Sequence, residues 1–147
     1  MSIVYQDKYI AVVIKPAGVI SEDGESSGPA LIREHFGKSD MYVGTVHRLD
    51  KNVGGLMVYS LDKALTGKLT QSLNEPDAGK EYLAVLSGKP ERDGDILCDL
   101  LYHDRGKNKT YVVKRKRAGV KEAKLSYNIM KEFPDGKTLE SVKLFTG

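Results

Sequence analysis

Short apolar runs alternate with polar turns at the start of the chain, which is typical of β-strands. Ile3–Tyr5 and Tyr9–Ile14 are separated by three polar residues and predict two successive strands. The segment Lys15–Gly18 should end the second strand, because proline and glycine both interrupt a β-ladder. The N-terminal region is therefore expected to begin with a pair of strands.

Two helices are predicted between these strands and the middle of the chain. Pro29 suits the first position of a short helix over Ala30–Phe36, and Gly37 should end it. Ser60 can cap a second helix, which Asn74–Asp77 should end. Apolar residues recur every four positions in this second helix and are expected to face the core: Leu61, Leu65, Leu69 and Leu73.

The second half of the chain is rich in β-forming residues. Pro134–Gly136 predicts a tight turn, since proline presets φ and glycine accepts a positive φ. Four strands are predicted around it: Glu81–Leu86, Lys109–Val113, Ala123–Phe133 and Lys137–Phe145. Two helices among hairpin-connected strands indicate an α+β fold with a mainly antiparallel (mixed) β-sheet and a few flanking helices.

Composition narrows the class of protein. The 147 residues fit one domain, and 40% hydrophobic with 29% charged residues is ordinary for a globular protein. No apolar run is long enough to span a bilayer, and residues 1–7 lack the features of a signal peptide. The single cysteine excludes an internal disulfide and favours a reducing, cytoplasmic location. Cys98 lies between leucines and is predicted to be a small buried residue.

Positive charge is concentrated in one part of the sequence. The formal net charge is only +3, which permits an RNA partner without requiring one. Eight basic residues nevertheless lie close together: Lys107, Lys109, Lys114, Arg115, Lys116, Arg117, Lys121 and Lys124. Such a cluster is the pattern expected for contacts with phosphates, and it also suits a solvated hairpin tip.

The segment His47–Gly55 carries the clearest candidate chemistry. Asp50 follows Arg48 closely, and a nearby guanidinium favours the ionised carboxylate. A carboxylate held on a tight loop can act as a nucleophile or as a base. Gly54 and Gly55 allow a sharp turn or a close approach by a ligand. The alternative is a plain surface loop in which Asp50 pairs with Arg48.

This segment resembles the active-site loop of the RluA-type RNA pseudouridine synthases, in which His-Arg-Leu-Asp is followed by two variable residues and Thr-Ser-Gly. Val12–Gly18 is similar to the first motif of that family, and Gly79–Val85 to its Lys-x-Tyr-x-Ala strand. Positions from Asp104 to Tyr127, and then Leu144–Gly147, follow its later motifs. Five stretches in the family's order cover essentially the whole chain.

The resemblance implies that Asp50 attacks a target uridine, at the sugar or at the base, and that the uracil reattaches through carbon. Arg48 would fill the space left by the extruded nucleotide or grip a phosphate. Tyr82 would stack on the base or relay a proton, unless it is only a core aromatic residue, and Lys80 would lie on the same strand face. No cofactor and no metal are expected. The basic residues Lys114, Arg115, Lys116 and Arg117 would contact RNA, either ribosomal or transfer RNA.

The sequence departs from the family pattern at two places. Val53 and Gly54 stand where the family usually has Thr and Ser, so two hydroxyl groups that could steady the loop are missing. The sequence also stops at Gly147, before the family's Arg-x-His-Gln-Ile-Arg motif. These features predict one truncated catalytic domain over residues 1–147, without an N-terminal S4 domain. They also predict weak or absent activity and possible self-association through an exposed sheet edge.

Two other functions were weighed against this one. A catalytically inactive RNA-binding remnant would use the same basic residues while Asp50 stays idle. A phosphotransferase is suggested by a superficial likeness of His47–Asn52 to a kinase catalytic loop. The kinase pattern, however, needs Asp directly after His-Arg, together with a glycine-rich phosphate loop, and neither is present.

Overall fold

A computed structural model describes residues 1–75 and 78–146, which divide into two units that are described separately. The first unit, Met1–Glu75, contains β1 (Ser2–Gln6), β2 (Ile10–Lys15), α1 (Gly28–Phe36), β3 (Gly44–Thr45), β4 (Gly55–Ser60) and α2 (Thr66–Asn74). The second contains β5 (Lys80–Ser87), β6 (Gly94–Asp104), β7 (Lys109–Val113), β8 (Val120–Glu132) and β9 (Lys137–Leu144). That the chain forms one catalytic domain stays a prediction.

The first unit is built on a four-stranded antiparallel sheet in the order β1-β2-β4-β3. Alternate residues of a strand face opposite sides of the sheet, and Ala11, Val13 and Lys15 of β2 all lie on the buried side. Their cross-strand partners on β4 are Tyr59, Met57 and Gly55. The core is completed by Ile32 of α1 and by Val43. A lysine thus occupies the last position of an otherwise apolar buried row.

Helix α1 confirms the first predicted helix almost residue for residue. The Ser27 side chain accepts a hydrogen bond from the Ala30 N–H at 3.2 Å, and Pro29 lies in the first turn. Gly37 ends the helix in the left-handed region with φ of 62°. The helix therefore begins and ends where local sequence signals place it.

Helix α2 begins at Thr66, five residues later than predicted. Ser60 instead pairs with Ile10 at the end of β4, and its hydroxyl donates to the Asp62 carbonyl at 2.7 Å. The strand has priority over the helix cap because its ladder is longer. No residue of α2 is fully buried. Of the four leucines predicted to face the core, Leu61 packs against it but precedes the helix, whereas the other three are half-buried and lie outside the core cluster: Leu65, Leu69 and Leu73. The helix ends after Asn74, while Pro76 and Asp77 of the predicted stop lie outside the described residues.

The second unit is a five-stranded antiparallel sheet in the order β5-β9-β8-β6-β7. It confirms the four predicted strands and the turn before β9, where Gly136 has φ of 79°. The antiparallel α+β architecture is confirmed with them. Strand β6 was missed, because Ile96–Leu101 has no strict alternation of apolar and polar residues. The prediction that Cys98 is buried is wrong: it lies opposite Lys124 on an exposed sheet face.

The last strand is not an open sheet edge. Strand β9 is flanked by β5 and β8, so the edges of this sheet are β5 and β7. Self-association through an exposed edge stays a prediction, and it concerns those two strands. In the part of the chain that the structure describes, no helix has the length and apolar character needed to cross a membrane.

Gly28 offers a first test of the packing in the first unit. A Cβ at this position would lie 2.1 Å from the Tyr59 hydroxyl oxygen and 2.7 Å from the adjacent ring carbon. Alanine is favoured over glycine in helices by about 1 kcal/mol. Overpacking against a buried tyrosine costs roughly 1–3 kcal/mol or more and should outweigh that gain. We expect Gly28→Ala to lower the free energy of unfolding in urea.

Gly67→Ala is the matched control, since a Cβ there meets nothing within 4 Å in helix α2. This control should be neutral or stabilising. A Gly28→Ala protein that is more stable than the parent would contradict the packing described here.

Candidate active site

A groove of about 220 Å³ lies beside the loop that joins β3 to β4. The groove is lined by Ile20, Ser21, Glu22, Arg48, Leu49, Asp50 and Lys51. Asp50 is exposed at its surface, and the Val53 N–H donates to the Asp50 carbonyl at 3.0 Å, which closes a turn. The two residues singled out in this loop, Arg48 and Asp50, therefore line one groove.

Lys15 fixes the backbone on which Asp50 stands. Its side chain is fully buried, and its ammonium group lies near four main-chain carbonyl oxygens. The Nζ–O distances are 3.2 Å to Pro16, 2.8 Å to Val19, 3.3 Å to Asp50 and 3.4 Å to Lys51. Burial lowers the pKa of Lys15, and the charge of Asp50 offsets part of this shift. One cation thus joins the end of β2 to the Asp50 loop.

Ser21 holds the same loop from the other side. Its hydroxyl donates to the Leu49 carbonyl at 2.5 Å and accepts from the Leu49 N–H at 3.1 Å. The Ser21 carbonyl accepts bonds from the Thr45 hydroxyl at 3.2 Å and from the Tyr59 hydroxyl at 3.0 Å. Burial raises the pKa of Tyr59 to about 12, so this donor stays protonated at neutral pH. The residue preceding Asp50 is therefore fixed at both of its backbone polar groups.

Removal of the Ser21 hydroxyl should loosen the loop. Ser21→Ala leaves the Leu49 N–H and carbonyl without these partners, which costs about 1–3 kcal/mol in buried positions. We expect a lower urea midpoint and, if Asp50 is catalytic, about a tenfold lower kcat with little change in KM. Ser21→Thr keeps the hydroxyl and should retain activity, and Ser39→Ala is an exposed control. Equal kcat for Ser21→Ala and the parent would contradict this positioning role.

In the structure Arg48 pairs with Glu22, and not with Asp50 as in the alternative of a plain surface loop. The Arg48 Nη1 donates to both Glu22 carboxylate oxygens at 3.2 Å. Both side chains are exposed, and exposed pairs of this kind stabilise a fold by little. Glu22 belongs to a loop that Arg33 anchors by two bonds of 2.8 Å to Asp23. The guanidinium is thus held at the groove by a weak and replaceable contact.

His47 and Gly54 both lie close to neighbouring backbone. Gly54 is the position at which the family usually has Ser. The His47 Nε2 accepts a hydrogen bond from the Val58 N–H at 2.9 Å, so this histidine joins the loop to β4. A Cβ on Gly54 would lie 3.3 Å from the Lys15 carbonyl oxygen and 3.5 Å from the Ala17 nitrogen. Glycine therefore lets the loop pack closely against the backbone after β2.

Tyr82 and Lys80 lie in the second unit, on β5. They are two residues apart and half-buried on one face of the sheet, as predicted. Their cross-strand partners on β9 are Val142 and Leu144. A tyrosine and a lysine therefore share a sheet face, as their spacing of two residues on a strand predicts.

The run Lys114–Arg117 lies in the connection between β7 and β8, and all four side chains are exposed. Lys116 is 3.4 Å from the Glu122 carboxylate, and the Arg117 guanidinium lies over the Tyr102 ring at 4.8 Å. The basic cluster thus occupies a hairpin connection, a position compatible with RNA contact and with a solvated tip. Among the described residues, no group of three or more His, Cys, Asp or Glu side chains could hold a metal ion.

The sequence analysis did not single out Ser21 or Glu22, and it did not count Lys15 among the catalytic residues. The position of Lys15, two residues beyond Val13 on the buried row of β2, could have indicated its role in holding the loop, because a charged residue in an apolar row needs buried partners. Nothing comparable marks Ser21 or Glu22. Their contacts join residues more than 25 positions apart and depend on the fold.

Comparison with known proteins identifies relatives over the whole chain. The family described as RNA pseudouridylate synthase matches residues 9–147. The dual-specificity RNA pseudouridine synthase RluA of Haemophilus influenzae is 29% identical over all of this chain and 67% of its own length. The ribosomal large subunit pseudouridine synthase D of Xanthomonas campestris is 28% identical, with 45% of its length covered. The chain therefore spans from under half to about two thirds of these relatives.

Solved structures give the same fold. Human RNA pseudouridylate synthase domain containing 4 superposes with a TM-score of 0.77 at 22% identity, over 99% of this chain and 59% of the human chain. Human RNA pseudouridylate synthase domain containing 1 gives a TM-score of 0.79 at 21% identity, with 60% of the human chain covered. Since the family match covers nearly the whole sequence, the chain belongs to the RluA family of RNA pseudouridine synthases.

Proposed function

We propose that this protein isomerises uridine to pseudouridine in RNA, with Asp50 as the nucleophile. One observation carries the proposal: an exposed carboxylate lies on a groove while its own backbone is fixed by Lys15 and that of the preceding residue by Ser21. A fixed backbone limits the positions that a nucleophile can take, and a small misplacement is costly to the rate. Family membership supplies the reaction class.

The proposed reaction is an isomerisation with no net oxidation. Asp50 attacks the target nucleotide, at the ribose or at the uracil, and the bond between N1 and C1′ breaks. The freed base turns, C5 forms the new bond to C1′, and the bond between Asp50 and the nucleotide breaks, which regenerates the carboxylate. The C5 proton is then lost to water, while N1 gains one. Loss of the C5 proton gives the reaction a signal that RNA binding alone cannot produce.

Arg48 has a proposed role in exposing the uridine. A base within stacked RNA must leave the stack before its glycosidic bond can be attacked. The Arg48–Glu22 pair is exposed and weak, so an RNA phosphate can replace Glu22 as the partner of the guanidinium. We also propose that Tyr82 stacks on the extruded base and that Lys80 contacts a phosphate beside it.

Substrate class follows from the relatives only as a proposal. One relative is named a dual-specificity RNA pseudouridine synthase and another a ribosomal large subunit synthase. We propose ribosomal or transfer RNA as the substrate of this chain. Assays on both RNA classes, each with tritium at uracil C5, decide between them.

The second candidate function is RNA binding without catalysis. The exposed basic connection Lys114–Arg117 supports it, because cations suffice to bind phosphates. The chain also covers only 45–67% of the two relatives described above.

Measurement of tritium release and RNA binding on the same protein separates the two functions. Release above that of Asp50→Asn, together with binding, supports the synthase. Binding without release supports the RNA-binding protein and contradicts the catalytic proposal. Absence of both would contradict both candidates.

A further inference from the structure

Two tyrosines face each other at the outer edge of the five-stranded sheet. Tyr102 of β6 and Tyr111 of β7 are direct cross-strand partners, and β7 is the edge strand. A cation lies over each ring: the Arg117 guanidinium carbon is 4.8 Å from the Tyr102 centroid, and the Lys109 Nζ is 5.7 Å from the Tyr111 centroid. These four residues are called the tyrosine platform below.

In the part of the chain that the structure describes, the two cations of the platform form no ion pair, although Asp104 lies opposite Lys109 on the neighbouring strand. Lys116 in the same connection pairs with Glu122. Tyr111 is 38% exposed although it is a large aromatic residue. An exposed ring beside cations that form no ion pair is therefore available to a ligand.

The platform is also held in place before any ligand arrives. Tyr102 is half-buried, and the turn after Arg117 packs against it, since a Cβ on Gly119 would lie 3.5 Å from the ring. Gly119 has φ of 81°, and the Val120 N–H donates to the Arg117 carbonyl at 3.0 Å. A site already ordered in the free protein loses little conformational freedom on binding.

Aromatic rings combined with cations fit the two parts of a nucleotide. Bases of any sequence stack on aromatic side chains or on arginine, and phosphates pair with lysine and arginine. An acidic peptide would use the cations and leave the rings without a role. Paired RNA would offer phosphates, with its bases already stacked on each other. The combination therefore favours an unpaired segment of RNA.

We propose that the tyrosine platform binds an unpaired nucleotide of the substrate RNA, with the base on the exposed Tyr111 ring and a phosphate near Lys109. The inference rests on the proposed function and adds to it. It assigns an RNA contact to the second unit, and it names RNA with single-stranded segments as the preferred substrate class.

Two fluorescent RNAs test the platform by anisotropy: a hairpin with an unpaired oligouridine tail and a blunt hairpin with the same number of phosphates. Tyr111→Leu should weaken binding of the tailed RNA by about fivefold or more, in line with the loss of one stacked base, and leave the blunt RNA unchanged. Tyr111→Phe keeps the ring and should bind as the parent does. Tyr5→Leu removes an exposed tyrosine from the edge strand β1 and is the matched control.

The outcomes distinguish the platform from the wider function. The platform alone would be overturned if the parent binds RNA and releases tritium while Tyr111→Leu binds the tailed RNA as tightly as the parent does. Equal loss on both RNAs, or displacement by polyglutamate as readily as by oligouridine, would reduce the surface to a general anion site and also overturn it. A parent that binds neither RNA would contradict the platform and the proposed function together.

Discussion

Replacement of Asp50 with asparagine should reduce tritium release from C5-labelled RNA to background. The amide has nearly the shape of the carboxylate but carries no charge and is a very poor nucleophile. The fold should persist, because the side chain is exposed and its loop is held through main-chain atoms of residues 49–51. RNA affinity should be equal or slightly higher, since one negative charge near a polyanion is lost.

Two further variants sharpen this test. Asp50→Glu keeps the charge but moves it by one methylene group, so a large loss of kcat would show that position matters as well as charge. Asp40→Asn removes an exposed carboxylate elsewhere in the first unit and should leave release intact. Release by Asp50→Asn at the parental rate would show that another group performs the attack.

Lys15→Met should have the second largest effect, on both stability and turnover. Methionine fills similar space but donates no hydrogen bond, so the carbonyls of Pro16, Val19, Asp50 and Lys51 lose their shared cation. A buried polar group left without a partner costs about 1–3 kcal/mol, and relief of the buried charge offsets part of the total. We expect the free energy of unfolding to fall by about 3 kcal/mol.

The same variant should lower kcat by about a hundredfold, because the backbone beneath Asp50 is no longer fixed. Urea unfolding followed by circular dichroism measures the stability, and tritium release under folded conditions measures the rate. Lys63→Met removes an equal charge from an exposed position and should match the parent in the urea midpoint. Unfolding of Lys15→Met at the parental urea midpoint would contradict the proposal that Lys15 stabilises the loop.

Local sequence signals were enough for the parts of the fold that depend on neighbouring residues. Helix α1 was predictable because Pro29 and Gly37 bracket it, and the last hairpin because Pro134–Gly136 specifies its turn. Where two local signals competed, the sequence alone could not decide. Ser60 is a good helix cap by residue type, yet in the structure it pairs with Ile10 in the sheet, and α2 begins only at Thr66.

The candidate site also combines features that consecutive residues specify with contacts that only the fold creates. The motif around Asp50 could be recognised because its residues are consecutive, and the resemblance to a known family depends on such runs. The contacts of Ser21 with Leu49 and of Glu22 with Arg48 join two loops and left no pattern in the sequence. The alternative in which Asp50 pairs with Arg48 is not what the structure shows, since proximity along the chain did not determine which carboxylate the guanidinium contacts.

The hydrogen bonds of Lys15 to main-chain carbonyls affect how the Asp50 loop can evolve. Among the residues that the structure describes, the four hydrogen-bond acceptors of the ammonium group are all main-chain oxygens, so apart from the charge of Asp50 this support depends on the path of the loop more than on its side chains. Exposed positions such as Lys51 can therefore be exchanged without loss of the support, which leaves them open to selection for new RNA targets. In a library of single substitutions, Lys15 should be nearly invariant while Lys51 accepts most residues. The path of the loop would then be kept by one buried lysine, while the exposed residues of the loop change.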